Sequence, residues 1–408
     1  MSMRTKSKGL ELPRDPLMRE NGAATPRDLR DLDALVHRFD PFRRRAVRRL
    51  ILSSPRVADL AAVFPGALYA LAVRRGAAVR RRKALDLVER GAPLKEVAQA
   101  LDLPFWLRRL PPEAYSGSVP ALPATEVFGR RVVNHLPATP SESAFWLRSI
   151  AFGAKACDEY FALWLAAQPV YPEPGDPEHL FGLLAAYAWY SSAEPTRCQG
   201  LIVVPWRPEM AFDTAVCAAK SWLNRIRLVL QLREGAVTDP WLEPGEALGL
   251  TFAPLLEQAQ ILAEAHAMQN CADQYADRIA RDKCRLFSIR RRGVRVATLE
   301  IGPHPREAGV LAISQLKARH NMPAGTEIWQ AAHGWLATQK DLKRPPAHMP
   351  PSRGLDAAAW ECVMGSYRTK KRGAAWIPLI ASNETFAVIE ADIADLARRG
   401  GITSWLFT

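Results

Sequence analysis

Apolar positions along this chain recur mainly at helical spacing, with one segment where the period changes to two. From Leu32 to Leu52 the residues Leu32, Leu35, Val36, Phe39, Phe42, Ala46, Val47 and Leu50 follow a helical repeat, which Asp40-Pro41 divides into two helices. Thr25-Pro26 supplies the helix start, with threonine as cap and proline in the first turn. Further on, Ala84 to Gly91, Pro93 to Leu101 and Leu103 to Leu107 read as helix, glycine turn, helix, short turn and helix, a spacing like that of a helix-turn-helix unit. Helical patterns follow at 125–135, 141–168, 177–192 and 208–233, and Gly200 to Pro205 reads as a short strand or a buried loop.

The period shifts after residue 250. Leu255 to Ile279 reads as a helix interrupted near Asn270. Arg285 to Arg290 and Val294 to Ile301 then form a hairpin about Arg291 to Gly293, and Val310 to Leu316 forms a third strand. Val294, Val296, Thr298 and Glu300 alternate with Arg295, Ala297, Leu299 and Ile301, so one face is polar enough to sit under a helix on a sheet covered on one side. A helix at 326–339 and closing helices at 355–366 and 384–399 complete the pattern. The expected fold is α+β and mostly helical, with a small three-stranded antiparallel sheet packed on helices in the 250–340 region. Its divisions are a flexible arm (1–27), a basic helical region (28–110), a Pro/Ser/Gly-rich linker (111–125), a helical middle (126–250), the α+β segment (251–340) and C-terminal helices (341–408) after a second proline-rich loop.

Composition supports a folded body: 48% of the 408 residues are hydrophobic and 24% charged, which excludes wholesale disorder. Six cysteines without a Cys-x-x-Cys pair are not a disulfide framework, so a reducing, cytoplasmic setting is expected. No apolar leader is visible at the N-terminus. The longest uncharged apolar run, Leu60 to Val73, has 14 residues and is broken by Pro65-Gly66, too short for a membrane span.

Charge changes the picture more. Residues 1–110 hold 24 Lys and Arg against 12 Asp and Glu; the remaining 298 hold 31 against 30. Almost the whole formal excess of +13 therefore lies in the first quarter, and a basic segment on a neutral body points to a polyanionic partner, nucleic acid foremost. The candidate phosphate contacts are Arg43, Arg44, Arg45, Arg48 and Arg49, then Arg80, Arg81, Arg82 and Lys83, with Arg290, Arg291 and Arg292 at the hairpin turn. Aromatic residues from Phe145 to Tyr190 fit base stacking or, at helical spacing, core packing.

Phosphate-loop, dinucleotide-fold, nucleophile-elbow and zincin motifs are all missing. His266, Cys271, Cys284 and His304 lack the close pairing of a zinc site, so no metal and no cofactor is expected. Glu264-Ala-His-Ala-Met-Gln-Asn-Cys271 with Tyr275, followed by Phe287-Ser-Ile-Arg290, Ala297-Thr-Leu-Glu-Ile301, Gln315 and Asn321, resembles the signature of the PcfJ-like family over about residues 250–340. Ala265, Asn270 and Ala272 stand where that signature has Gly, His and Val. The resemblance implies association with mobile elements, such as plasmid transfer or genome-conflict systems, and with their proteins; it implies no particular reaction. The residues leave room for an enzyme centred on Cys271, with His266 or His320 as base and Glu300, Gln315 or Asn321 as polar partners, in hydrolase or nuclease style. The other reading of these side chains is a polar network pinning the sheet to the Cys271 helix. A scaffold without chemistry is the third possibility for the whole chain.

Overall fold

A computed structural model describes residues 26–168, 175–192, 199–232, 237, 239–343, 355–371 and 374–402. The expected arm and most of the second proline-rich loop lie outside these residues.

The described residues begin with six helices: α1 (Pro26–His37), α2 (Arg44–Ile51), α3 (Pro55–Val63), α4 (Pro65–Ala72), α5 (Ala78–Glu89) and α6 (Leu94–Ala100). Pro55 and Pro65 each stand in a first turn, where no amide donor is needed. Every residue of α4 is buried, so the other helices wrap around it. Gly91 separates α5 from α6 at φ +70°, a left-handed conformation that glycine adopts without strain. The third element of the expected helix-turn-helix is a five-residue 3-10 turn, Phe105–Arg109, with Trp106 and Leu107 buried. It is too short and too committed to the core to lie in a major groove, so the helix-turn-helix-like spacing here is helical packing.

Residues 111–125, expected as a linker, lie against this core. Tyr115 is buried and donates its hydroxyl to the Leu107 carbonyl at 2.8 Å, while the Trp106 indole donates to the Pro123 carbonyl at 3.0 Å. The prolines prevent regular structure here, but not packing.

The helical middle holds α7 (Glu126–Val132), α8 (Ser143–Ala156), α9 (Glu159–Ala166), α10 (Pro177–Ser192) and α11 (Phe212–Gln231). A Cβ added at Gly153 would lie 2.8 Å from Leu165 and 3.1 Å from the Ala162 backbone, so glycine is what lets α8 and α9 approach. Trp146, Phe161, Trp164, Tyr187 and Tyr190 are buried, which places most of the aromatic run in the core, with Tyr160 exposed. Gln199–Leu201 is a 3-10 turn, and of the two readings of 200–205 the strand does not form, while the loop leaves Val203 and Val204 exposed. The last helices, α15 (Ala357–Lys370) and α16 (Asn383–Arg399), return to α10 and α11: Tyr190 accepts from the Tyr367 amide, and Arg227 of α11 pairs with Glu390 of α16 at 2.7 Å. One continuous apolar cluster therefore runs from Val36 to Ile402, omitting the sheet.

The sheet has five strands, not three. Its order is β1 (Gly245–Ala247), β2 (Leu250–Pro254), β3 (Arg285–Arg291), β4 (Val294–Pro303) and β5 (Leu311–Ala318), an antiparallel meander. The additional hairpin turns on Leu248 and Gly249, both at positive φ, as do Arg292 and Gly293 between β3 and β4. Two-residue turns of this kind match the twist of paired strands. Between β2 and β3 lie α12 (Gln258–Met268), a 3-10 turn at Cys271–Gln274 and α13 (Ala276–Ala280); α14 (Thr326–Ala337) follows β5. Both faces of the sheet are covered, where only one was expected. On the first, Trp335 of α14 stacks on Phe252 at 4.7 Å over Phe287, Leu299 and Ile301. On the second, Leu286 packs with Ile261, Ala272 and Ile279 of the α12–α13 segment.

Candidate functional site

The second face carries the polar residues of the β3–β5 region. Helix α12 starts with a reciprocal cap between Glu257 and Gln260 and ends where Gln269 turns left-handed at φ +49°. That reversal delivers Asn270 to the start of the 3-10 turn, where its Oδ1 accepts the Ala272 amide at 3.2 Å. Asparagine at this position is a local cap. Its Nδ2 donates to Thr298 Oγ1 on β4 at 2.7 Å, so one side chain ties turn to sheet.

Glu264, fully buried on α12, accepts from Thr298 Oγ1 and from Arg295 Nε, each at 2.8 Å. Simple alternation places Arg295 on the Ala297 face. A bulge resets it, because Ala297 pairs with Ile289 but Arg295 pairs with Arg290, leaving Val296 as the extra residue. Two strand positions further, Glu300 is almost wholly buried. Arg278 of α13 donates to its Oε1, and the Tyr275 hydroxyl lies 3.0 Å from its Oε2 and 3.2 Å from Gln315 Oε1. Burial, then the charge of Glu300, pushes the Tyr275 phenol up. One step away, Arg225 of α11 pairs with Asp273 at 3.1 Å, both buried, and also donates to the Leu201 carbonyl. Burial pushes the Asp273 carboxyl up against the pull of Arg225.

Cys271 opens the 3-10 turn. Its amide and its thiol lie 3.4 and 3.5 Å from Asn321 Oδ1. Burial pushes the thiol up from its ordinary value, favouring the protonated form. A four-residue 3-10 turn supplies none of the α-helix dipole that acidifies reactive thiols.

Beside Cys271 is a cleft of about 400 Å³ between α11 and the end of α12, with Ser221, Asn224, His266, Gln269, Gln274 and Asn321 among its lining. A much smaller crevice of about 20 Å³ touches Cys271, Glu300, Gln315, Lys317 and Asn321. The structure thus brings Cys271 and Asn321 into both spaces, His266 into the larger, and Glu300 and Gln315 into the smaller. His320 lines neither; it is exposed, at φ +61°. Among the described residues no three His, Cys, Asp or Glu side chains converge as a metal site would require. His304 instead uses Nδ1 to accept the amides of Arg306 and Glu307.

The arginine clusters divide into committed and uncommitted groups. Arg44 donates to the carbonyls of Phe39 and His37, and Arg48 pairs with Asp33 at 3.3 Å. Arg80 lies 4.0 Å from Asp102, and Arg81 donates to the Arg74 and Gly76 carbonyls. Arg290 bonds Ser288, and Arg291 pairs with Glu327. Arg45, Arg49, Arg82, Lys83 and Arg292 are exposed and have no carboxylate partner among the described residues.

Asp273, Arg225 and Arg278 were not legible as members of this assembly. Only the positions of Asp273 and Arg278, two and seven residues from Cys271, signal them; Arg225 carries no sequence signal. No protein-family model matches the chain, and no curated protein and no solved structure is found to be similar to it.

Proposed function

We propose that this protein binds nucleic acid through its N-terminal helices and serves as an accessory protein of a mobile element, a plasmid-transfer or a genome-conflict system. The observation that carries the binding is the set of unpaired, exposed cations on α2 and α5: Arg45, Arg49, Arg82 and Lys83. Cations that stabilise a fold are paired or turned onto carbonyls, as Arg44 and Arg81 are. Cations held in water without a partner are available to phosphates, and each phosphate contact releases counterions. The resemblance of residues 250–340 to the PcfJ-like family supplies the biological setting.

The α+β segment docks on α11 through the Arg225–Asp273 pair, and its polar side chains are engaged within it. Its carboxylates are held by arginine and hydroxyl partners, burial raises the Cys271 thiol, and the asparagine at the family's histidine position is engaged as a cap.

The test is fluorescence anisotropy of the full chain with labelled DNA and RNA at about 50 and 200 mM salt. Four phosphate contacts on duplex DNA lower affinity on the order of a hundredfold across that range. No binding, or binding indifferent to salt, overturns the proposal.

A further inference from the structure

We infer that Phe42 is a stacking platform for an unpaired base, so that the α2 surface takes single-stranded nucleic acid in preference to duplex. This rests on the nucleic-acid reading above and specifies its ligand. Phe42 is 92% exposed, the most exposed large apolar residue among those described. Isolated exposed apolar residues are ordinary, and exposure alone means little. The setting of this ring adds the rest.

First, the backbone that carries the ring is held in place. Asp40 Oδ1 accepts the Phe42 amide at 3.0 Å, and Oδ2 accepts the Gly117 amide at 3.1 Å with the Tyr69 hydroxyl at 3.1 Å. The Asp40 carbonyl accepts the Arg43 amide at 2.8 Å. Phe39, three residues earlier, is buried and stacked on Tyr69. A turn fastened at both ends therefore presents an aromatic ring to solvent, and little backbone entropy remains to be lost when a planar ligand settles on it.

Second, its neighbours are cations. Arg43, Arg45 and Arg49 are exposed next to it in sequence and on the first two turns of α2. A charged surround is what the core of a protein–protein interface lacks. An anionic membrane also attracts arginines, but α2 has no apolar face to insert, since Val47 and Ile51 are buried in the core. Arginine with an exposed aromatic on a fixed turn is the combination that tracks a phosphate backbone and stacks its bases.

Third, the preference follows from access. In a duplex each base is stacked on both sides, and a ring on a fixed turn cannot reach a π-face without unstacking a step. A single strand offers its bases freely.

The experiment measures binding of the full chain to labelled oligothymidylate and to a blunt duplex of similar length, for wild type, Phe42→Ala and Phe42→Trp. Phe42→Ala should weaken oligothymidylate binding by about 5- to 150-fold, the range of one lost base stack. Duplex binding should stay within about twofold, and Phe42→Trp should retain the single-strand affinity. A fully exposed side chain leaves the melting temperature unchanged, so misfolding does not confuse the result. Equal loss on both probes, or no loss on oligothymidylate, overturns the inference while leaving nucleic-acid binding intact. Wild type binding neither probe overturns both. Cosedimentation of wild type with phosphatidylserine-containing vesicles, lost in Phe42→Ala, in place of oligothymidylate binding, assigns the surface to lipid and also overturns it.

Discussion

The basic N-terminal helices and the polar seam beneath the sheet use charge in opposite ways. In the seam, Glu264, Glu300 and Asp273 lose water and each meets an arginine: Arg295, Arg278 and Arg225. On α2 and α5 the arginines outnumber the available carboxylates, and Arg45, Arg49 and Arg82 remain in solvent. The first arrangement fixes how elements dock; the second leaves charge for a partner. The same residue type therefore predicts opposite mutational outcomes in the two regions.

The largest effect is expected at the seam. Glu264→Ala leaves Arg295 and Thr298 without their acceptor, and Arg225→Ala leaves Asp273 buried and unpaired. Leaving Asp273 buried and unpaired costs about 3–5 kcal/mol, and Glu264→Ala costs less because Arg295 is partly exposed; both are visible as a fall in denaturation midpoint. A midpoint change as small as that of a surface mutant would show that the seam does not hold the sheet. Next comes Tyr275→Phe, which removes one hydrogen bond to Glu300 or Gln315 and should cost about 1 kcal/mol in urea denaturation.

A third outcome concerns reactivity. Because burial raises the Cys271 thiol, iodoacetamide at neutral pH should alkylate it more slowly than exposed Cys362. Faster alkylation of Cys271 would restore the enzyme reading and break the contrast between a sealed seam and an open basic surface.

The N-terminal turn provides a smaller, pH-dependent effect. Burial opposes ionisation of Asp40, yet the Gly117 and Phe42 amides, Tyr69 and the charge of Arg43 together hold its carboxyl below the usual carboxylate value. A carboxyl lowered on folding stabilises the folded state above its unfolded pKa of about 4, and that contribution is lost as pH falls through the folded value. Wild type should therefore exceed Asp40→Asn in stability at pH 7, and the gap should close in acid. A gap that widens in acid contradicts the assignment.

Much of the sheet was legible because β3, β4 and β5 are seven to ten residues long, β4 is rich in β-branched residues, and a tight turn separates β3 from β4. The hairpin Gly245–Pro254 was not: β1 has three residues, too few to alternate, and its turn residue Leu248 is exposed and apolar. The break in the helix at Asn270 was readable, since asparagine is a capping residue, but the bulge at Val296 that swings Arg295 onto the Glu264 face was not. Proline density at 111–125 indicated irregular backbone correctly, yet Tyr115 and Val119 make it part of the core. The helix-turn-helix spacing was a misleading signal: glycine turns and short apolar repeats fix only the order of segments, and burial of Trp106 and Leu107 decides what the last one does. For the site, Cys271, Tyr275, Glu300, Gln315 and Asn321, singled out in the sequence, line one small crevice, whereas His320 was chosen by proximity in sequence and lines neither space beside Cys271.

The central claim is that the uncommitted cations of α2 and α5 are a nucleic-acid surface. Its most direct test is the slope of log affinity against log salt for Arg45→Gln, Arg49→Gln, Arg82→Gln and Lys83→Gln combined, compared with wild type on duplex DNA. The account predicts a slope shallower by about 0.9 for each lost phosphate contact, with the melting temperature unchanged. An identical slope in a folded variant would contradict it.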